Sequence, residues 1–524
     1  MSFKGSLLPY QEEAVEMMCS RGKVLVAYDL GLGKTVLTIA AIESMRDSGK
    51  IKGPGLIICL SSLKYQWQSQ IEKFTEGTAK TIVIEGTPKQ RLDQYKAIAS
   101  KKIDVDYVIF NYEQVVNDKD YVNQLPMNFI VCDEATALKS FKSKRSKIIK
   151  KLKSPIKFAL TGTPVENGKA EELFSIMQFV DDKVLGSYPS FEAKYIVRNS
   201  MGWIEKYKNI DMLSTQLKTA SVRKRQKDKD VAPYLPETIM ASPILVPFDS
   251  ASKALYSSIV DELLVDLEDA ARYMSMGINL FGDYRPDNGP IDEVRGVIMS
   301  KLTALRLLCD HPLLLRASGK AYSSSTFGEE GSRYAAELLE QGRLDRAVKS
   351  PKLDVLKETV KNFLEEDKNN KLVIFSGFVA MVGIIAADLN AFGVQKYTGK
   401  MNAKEKEIAK IDFQTNPNTR ILVSSDAGGY GVDLPQANLL VNYDLPWNAG
   451  LALQRNGRIQ RASSTWEKVV VQDLMMLGSI EERQHAMLQQ KMSVASAIVD
   501  GEGITEKGGL DLNLGTLRGF LQSI

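Results

Sequence analysis

The segment Asp29-Leu30-Gly31-Leu32-Gly33-Lys34-Thr35 brings a pliant backbone, a cation and a hydroxyl together. That combination suits a nucleoside triphosphate. Glycines let the chain wrap phosphates so that amide N–H groups point at them; a lysine reaches the β- and γ-phosphates and the next hydroxyl ligates Mg²⁺. Gly31, Gly33, Lys34 and Thr35 are therefore expected nucleotide contacts, with Thr35 also a metal ligand. An apolar run at 24–27 precedes the segment and an apolar helical stretch at 36–45 follows it, so the helix dipole adds a favourable field. The stricter pattern has Gly five positions before Gly33, where this chain has Tyr28.

Asp133-Glu134 follows the apolar run 129–132, about one hundred residues after Lys34. A carboxylate at a strand tip can hold Mg²⁺ through water, and its neighbour can orient and polarise an attacking water. Asp133 is thus expected at the metal and Glu134 at the water. Thr161-Gly162-Thr163-Pro164 follows another apolar run, and its small hydroxyl residues suit sensing of phosphate. Gln11, in Leu8-Pro9-Tyr10-Gln11, can pair with the adenine edge in both directions and so favour ATP over GTP. Arg458 and Arg461 lie three apart on one helix face. Arginines so placed stabilise transferring phosphoryl charge, a contribution of about 10³–10⁵ in rate. They stand more than four hundred residues after Lys34, so a second lobe must fold against the first to complete the site.

Short β-rich runs that read as buried parallel strands supply the scaffold: 24–27, 56–60, 81–84, 107–110, 129–132 and 158–160. A second series follows at 372–375, 394–397, 421–424, 439–442 and 469–471. Polar residues and glycine directly after such strands line the ligand crevice of an open α/β sheet. Between the series, 252–273 and 294–308 are helix-like, while 277–289 and 319–331 read as turn-rich loops. The expected division is 1–235 for the first lobe with a basic extension, 236–349 for a helical insertion and linker, 350–499 for the second lobe and 500–524 for a tail. In the tail, Leu510, Leu514, Leu517 and Leu521 suggest a short docking helix.

The 524 residues exceed one ordinary domain, and 44% hydrophobic content supplies ample core. With 68 basic and 64 acidic residues, net charge says little about nucleic acid, but local charge says more. Residues 142–153 hold seven Lys or Arg and no acid, and Arg223, Lys224, Arg225, Lys227 and Lys229 form a second cluster. Each suits either a phosphate groove or a solvated face. Cys19, Cys59, Cys132 and Cys309 are scattered, which fits a reducing compartment and excludes a disulfide framework or zinc spacing. Two histidines, His311 and His485, make His-based metal or triad chemistry improbable. No signal peptide or long apolar run appears, so no membrane role is expected.

Together these segments resemble the superfamily 2 helicase set, and specifically the SWI/SNF family. Residues 28–35 resemble its D-E-M-G-L-G-K-T, and 133–139 its D-E-A-H-x-L-K. Residues 58–63 with Trp67 and Phe74 resemble a DNA-touching segment, and Asn111-Tyr112-Glu113 the next one. Thr161 and Thr163 fall in a stretch similar to L-T-G-T-P, followed by Glu166-Asn167. Leu305-Arg306-Leu307-Leu308-Cys309-Asp310-His311-Pro312 matches an L-R-x-x-C-x-H-P stretch that other helicase families lack. Ser350-Pro351-Lys352-Leu353 is similar to the family's entry to lobe two. Residues 424–434, 444–448 and 454–461 resemble S-T-x-A-G-G-x-G-x-N-L, D-x-x-W-N and Q-x-x-G-R-x-x-R.

The resemblance implies an α/β fold with two RecA-like parallel-sheet lobes and a helical insertion between them. It implies ATP and Mg²⁺ as cofactors, Gly431 and Asp433 as further nucleotide contacts, and DNA contacts at Ser62, Lys64, Trp67, Asn111, Thr163, Ser376, Ser425 and Trp447. It implies an ATPase that moves along double-stranded DNA without separating the strands. Such binding should be sequence-independent and salt-sensitive, because phosphate contacts carry no sequence information. A strand-separating helicase and a non-hydrolysing DNA clamp are the competing expectations. A monomer is expected, cytoplasmic in a bacterial, archaeal or virus-infected cell and nuclear in a eukaryotic one. Besides Tyr28, Asp29 and Leu30 in the phosphate loop, the departures that bear on function are Thr136 for His, Asp433 for Asn, Gln460 for His, and Asp426 in an expected DNA-facing loop. Thr136 implies altered coupling of hydrolysis to lobe contacts.

Overall fold

The computed structural model describes residues 2–199, 204–274, 289–325, 330–426, 432–500 and 514–522. The first lobe is built on β1 (Lys23–Tyr28), β2 (Gly55–Cys59), β3 (Thr81–Val83), β4 (Tyr107–Asn111), β5 (Phe129–Asp133) and β6 (Ile156–Leu160). A hairpin of β7 (Ile196–Arg198) and β8 (Ile204–Tyr207) lies apart, and β9 (Ser221–Lys224) returns to the sheet edge. The order is β3-β4-β2-β5-β6-β1-β9, every pair parallel. Strands such as β2 and β5 are buried along their full length. Continuous apolar runs are what helices covering both faces of a parallel sheet require. β9 was not expected, since only Val222 in it is apolar and its neighbours read as a basic cluster. Charged residues suit its place, because they discourage edge-to-edge pairing.

The second lobe contains β10 (Glu237–Met240), β11 (Ile244–Val246), β12 (Leu372–Ser376), β13 (Val394–Tyr397), β14 (Ile421–Ser425), β15 (Leu439–Asn442) and β16 (Lys468–Met476). Its order is β10-β16-β15-β12-β14-β13, again parallel, and β11 continues the edge along β16 after β10. The expected boundary at 236 therefore needs correction. Residues 237–246 are the edge of the second sheet, not the start of a helical insertion.

Helices Ser250–Met274, Gly289–Asp310, Pro312–Ser324 and Arg333–Glu340 follow, and they share one core with the second lobe. Gly319, expected to open a loop, sits inside a helix. A Cβ there would stand 2.6 Å from the Ala335 carbonyl, so glycine permits the next helix to pack close. The loop expected at 277–289 lies almost wholly outside the described residues. Lys352 joins this region to the second lobe by ion pairs to Asp310 at 3.2 Å and Glu481 at 2.6 Å. The short helix Leu514–Leu521 docks on the same layer, with Arg518 on Glu268 at 2.6 Å.

Helix Ile480–Asp500 crosses between the lobes. Ile480 belongs to the second lobe's core, whereas Val494 and Ile498 belong to the first lobe's. The end of the second lobe, expected at 499, is thus a helix whose last turns pack on the first.

Candidate nucleotide site and interlobe cleft

The phosphate loop leaves β1 at Tyr28 and enters helix Lys34–Asp47. Gly31 and Gly33 have φ of 82° and 81°, a left-handed backbone that favours glycine. Both are also crowded. A Cβ on Gly33 would lie 2.4 Å from Gln11 Nε2, and one on Gly31 would lie 2.7 Å from Arg461 Nη1. The adenine-reading candidate and one arginine candidate therefore both press against the loop, at Gly33 and Gly31 respectively.

Gln11 is anchored to this loop. Its Nε2 donates to the Leu32 carbonyl at 3.0 Å and its Oε1 accepts from the Leu8 N–H at 3.0 Å. Lys34 Nζ donates to the carbonyls of Tyr28 at 2.8 Å and Asp29 at 3.1 Å. Burial holds the Lys34 ammonium below the usual lysine range, against the pull of Glu134 and Asp133. These two carbonyls occupy the donors that phosphate oxygens would otherwise take. Thr35 follows in the first turn of the same helix.

Asp133 ends β5 and is buried. Its Oδ2 accepts from Trp67 Nε1 at 2.8 Å, its Oδ1 from the Glu134 N–H at 2.9 Å, and its carbonyl from the Tyr112 hydroxyl at 2.7 Å. Burial raises its carboxyl above the ordinary range, while Trp67 and Lys34 pull it down. Glu134 has φ 50°, a backbone strained for a non-glycine residue. Such strain costs about 1–3 kcal/mol and collects at functional sites. Glu134 Oε2 is buried with no hydrogen-bond partner among the described residues. Burial, then Asp133, pushes this carboxyl up to about 7, with Lys34 and Arg458 opposing. An enclosed carboxyl poised near neutrality is what a water-activating group requires.

Arg458 and Arg461 are buried in the second lobe beyond helix Ala449–Asn456. Arg458 is close enough to Glu134 to lower its pKa. Arg461 pairs with Asp433 at 2.7 Å, and its Nε has no partner among the described residues. The structure thus brings Lys34, Thr35, Asp133, Glu134, Arg458, Arg461, Gln11 and Asp433 to one junction, while Gly431 lies outside the described residues.

A cleft of about 1900 Å³ opens beside this junction and reaches both lobes. Lys73, Lys139, Arg145, Lys404, Lys406 and Lys410 line it, against Glu134, Glu166, Glu407 and Asp433. Of the expected DNA contacts, Ser62 is exposed there. Asn111 caps the following helix through Gln114 N–H at 2.8 Å and donates to Ser61 Oγ at 2.9 Å. Trp447 is partly buried, with the Arg306 guanidinium 5.8 Å from its ring centre.

The remaining expected contacts are internal and need correction. Trp67 is 1% exposed because its indole holds Asp133. Lys64 is 8% exposed and donates to the Ile84 carbonyl at 3.0 Å. Ser376 is fully buried against Asp444, and Ser425 is buried with its Oγ accepting from the Gly399 N–H at 3.3 Å. Thr163 is buried beside Thr161, whose Oγ1 accepts the Thr163 N–H at 3.1 Å. In this arrangement these five support the walls rather than face the cleft.

The basic clusters also resolve. Arg145 reaches the cleft, but Lys150 turns inward to Ser175 at 2.7 Å, and burial lowers it to about 8. In the second cluster, Arg223 pairs with Asp29 at 2.6 Å and Asp500 at 2.8 Å, Lys224 with Glu13 and Asp230 at 2.7 Å, and Arg225 with Asp228 at 2.8 Å. Of these cations, Arg223 braces the phosphate loop through Asp29. Asp426 does not stand free toward DNA either: Arg455 grips it at 2.5 and 2.9 Å. Arg223 on Asp29, and Gln226 donating to the Leu30 carbonyl at 2.9 Å, have no local signal in the chain, because both contacts span nearly two hundred residues.

Two parallel-sheet lobes that share a phosphate loop, a carboxylate pair and a pair of arginines define a helicase-like ATPase core. The chain belongs to the SNF2 family: residues 10–312 match the SNF2-related domain, and residues 352–463 match the helicase conserved C-terminal domain. It is 28% identical over 514 residues to the putative ATP-dependent helicase/translocase YwqA of Bacillus subtilis, covering 96% of this chain and 50% of the relative. It is 24% identical over 542 residues to a DNA repair and recombination protein RAD54-like of Gallus gallus, covering 98% of this chain and 70% of the relative. The chain thus spans half the length of the bacterial relative. The helicase domain of Pyrococcus furiosus Hef shares the fold, with TM-score 0.52 at 16% identity over 91% of this chain and 97% of that one.

Proposed function

We propose that this chain hydrolyses ATP and uses the resulting lobe movement to travel along double-stranded DNA, remodelling protein–DNA complexes or DNA branches. The observation that carries the reading is the split site. Arg461, from the second lobe, lies against Gly31 of the phosphate loop, and Arg458 stands close to Glu134. A nucleotide held there touches both lobes, so binding and release must alter their relation.

In this reading Lys34 leaves the Tyr28 and Asp29 carbonyls for the β- and γ-phosphates. Gln11, which lies against Gly33, meets the adenine. Glu134 accepts a proton from the attacking water, and Arg458 and Arg461 stabilise charge on the transferring phosphoryl group. Thr35 and Asp133 fit Mg²⁺, which prefers one or two protein oxygens plus phosphates and water to an all-protein cage. No cluster of three or more His, Cys, Asp or Glu suited to a metal exists among the described residues, consistent with that mode. When bound, the ion would neutralise phosphate charge. The cationic lining of the cleft suits a phosphate backbone, and this supports binding that ignores sequence. Among the described residues no helix is long and apolar enough to cross a membrane. The chain acts as a monomer in this reading.

Phosphate release with and without duplex DNA tests the proposal, together with triplex displacement. Duplex-stimulated hydrolysis that is lost in Glu134→Gln, with triplex displacement but no unwinding of a forked duplex, is expected. Hydrolysis indifferent to duplex and to Glu134→Gln would point to a clamp, and unwinding to a strand-separating helicase.

A further inference from the structure

Glu166 joins the walls of the cleft without being one of the expected nucleotide contacts, and its charge adds slightly to the upward push on the Glu134 carboxyl. It is 7% exposed. Its backbone N–H donates to Glu172 Oε2 at 2.7 Å, and the Asn167 N–H donates to the same oxygen at 3.0 Å. The first lobe thereby anchors the backbone that carries this side chain. Its Oε2 accepts from Lys139 Nζ and, across the interface, from Asn448 Nδ2 at 3.2 Å.

Both partners lead into the chemistry. Lys139 closes the turn Ala135–Leu138, which starts directly after Glu134. Asn448 caps helix Ala449–Asn456, its Oδ1 accepting from the Leu451 N–H at 3.2 Å, and the chain then runs to Arg458 and Arg461. A Cβ at Gly450 would stand 2.6 Å from Glu166 Cγ, so glycine permits this approach of one lobe to the other.

We infer that Glu166 is a positioning residue that couples the carboxylates of the first lobe to the arginines of the second, through Lys139 on one side and Asn448 on the other. The inference rests on the reading of the chain as a DNA-stimulated ATPase. Lys139 and Asn448 share a single carboxylate oxygen. A change in lobe separation therefore alters the balance between the two bonds. The helix behind Asn448 is short and internally hydrogen-bonded, so it carries that displacement to the arginines as one body.

Two substitutions in the full-length chain test this. Glu166→Gln keeps the size and the acceptor but removes the charge facing Lys139. Asn448→Ser keeps a good helix cap but is too short to reach Glu166. Steady-state hydrolysis is measured without DNA and at saturating duplex, for both single variants and the double. At about pH 8.5, where the Glu134 carboxyl is ionised with or without the Glu166 charge, the KM for ATP and the DNA-free rate should stay within about twofold of the wild type. Stimulation by duplex should fall about fivefold or more, the lower end of typical coupling between sites. The double variant should be no worse than the more impaired single. Intact stimulation, a parallel fall of DNA-free and DNA-stimulated rates, or losses that multiply would each overturn the inference. A wild-type chain that duplex fails to stimulate would overturn the functional reading instead.

Discussion

Asp433 holds the guanidinium of Arg461 in an ion pair of 2.7 Å. The family pattern has asparagine at this position, so a carboxylate here competes with nucleotide phosphates for the arginine. The Asp433 side chain is 52% exposed, which places the pair among those worth about 0.2–1 kcal/mol. Asp433→Asn is therefore expected to lower the KM for ATP by up to about fivefold. A weaker KM would mean instead that the Asp433 carboxylate itself binds nucleotide. Titration with a fluorescent ATP analogue distinguishes the two.

The Glu134 carboxyl, pushed up to about 7, carries a pH prediction. Only the carboxylate can accept a proton from water, so kcat/KM for hydrolysis should climb through about pH 7 and level off above it. Free glutamate titrates near about 4.3. Between that value and about 7 the folded chain holds the extra proton, so this group's contribution to stability declines as pH rises. Glu134→Gln should remove the acid limb, cut kcat by about 10²-fold or more and, near pH 8, raise Tm by a few degrees. A lower Tm at that pH would contradict the burial argument.

The triad of Asp310, Lys352 and Glu481 is almost fully buried. Burial alone would lower Lys352, yet Glu481 and Asp310 together hold it above its ordinary range. Lys352→Met leaves two carboxyl groups facing each other without a cation, at a cost of about 3–5 kcal/mol. Replacing all three, with Asp310→Asn and Glu481→Gln added, should recover most of that loss. Urea denaturation of the single and triple variants gives the comparison; equal stability of the two would remove the triad as a structural ion pair.

Lys404 and Lys410 line the cleft from the second lobe. If both meet phosphates, Lys404→Ala with Lys410→Ala reduces the slope of log affinity against log salt by about 2. The weakening should be uniform across DNA sequences, and hydrolysis without DNA should not change. Fluorescence anisotropy over a salt series reads the slope; an unchanged slope would place the DNA elsewhere.

Strand runs and the acidic, glycine-rich and arginine segments were legible in the sequence because their chemistry is local. A phosphate loop needs glycines at adjacent positions, and a buried parallel strand needs an unbroken apolar run. Exposure was not legible in the same way. Trp67 and Lys64 look like nucleic-acid contacts by residue type, but an indole N–H aimed at Asp133 and an ammonium on the Ile84 carbonyl depend on how strands far apart in sequence are stacked. β9 has no local signal for a related reason: its cations pair with Asp29, Asp500 and Glu13, all far from them in the chain, besides the nearby Asp230. Likewise, β10 and β11 join the second sheet only through β16, more than two hundred residues later.

Helix Ile480–Asp500 has 21 residues, a span of about 31 Å at the usual helical rise. One end is set in the second lobe, and the other reaches Arg223, which also holds Asp29 at the mouth of the phosphate loop. A rod fastened in this way leaves pivoting as the cheap motion and separation as the costly one. In the proposed cycle the lobes would then swing at a fixed radius, and both ends of that radius are visible in the fold.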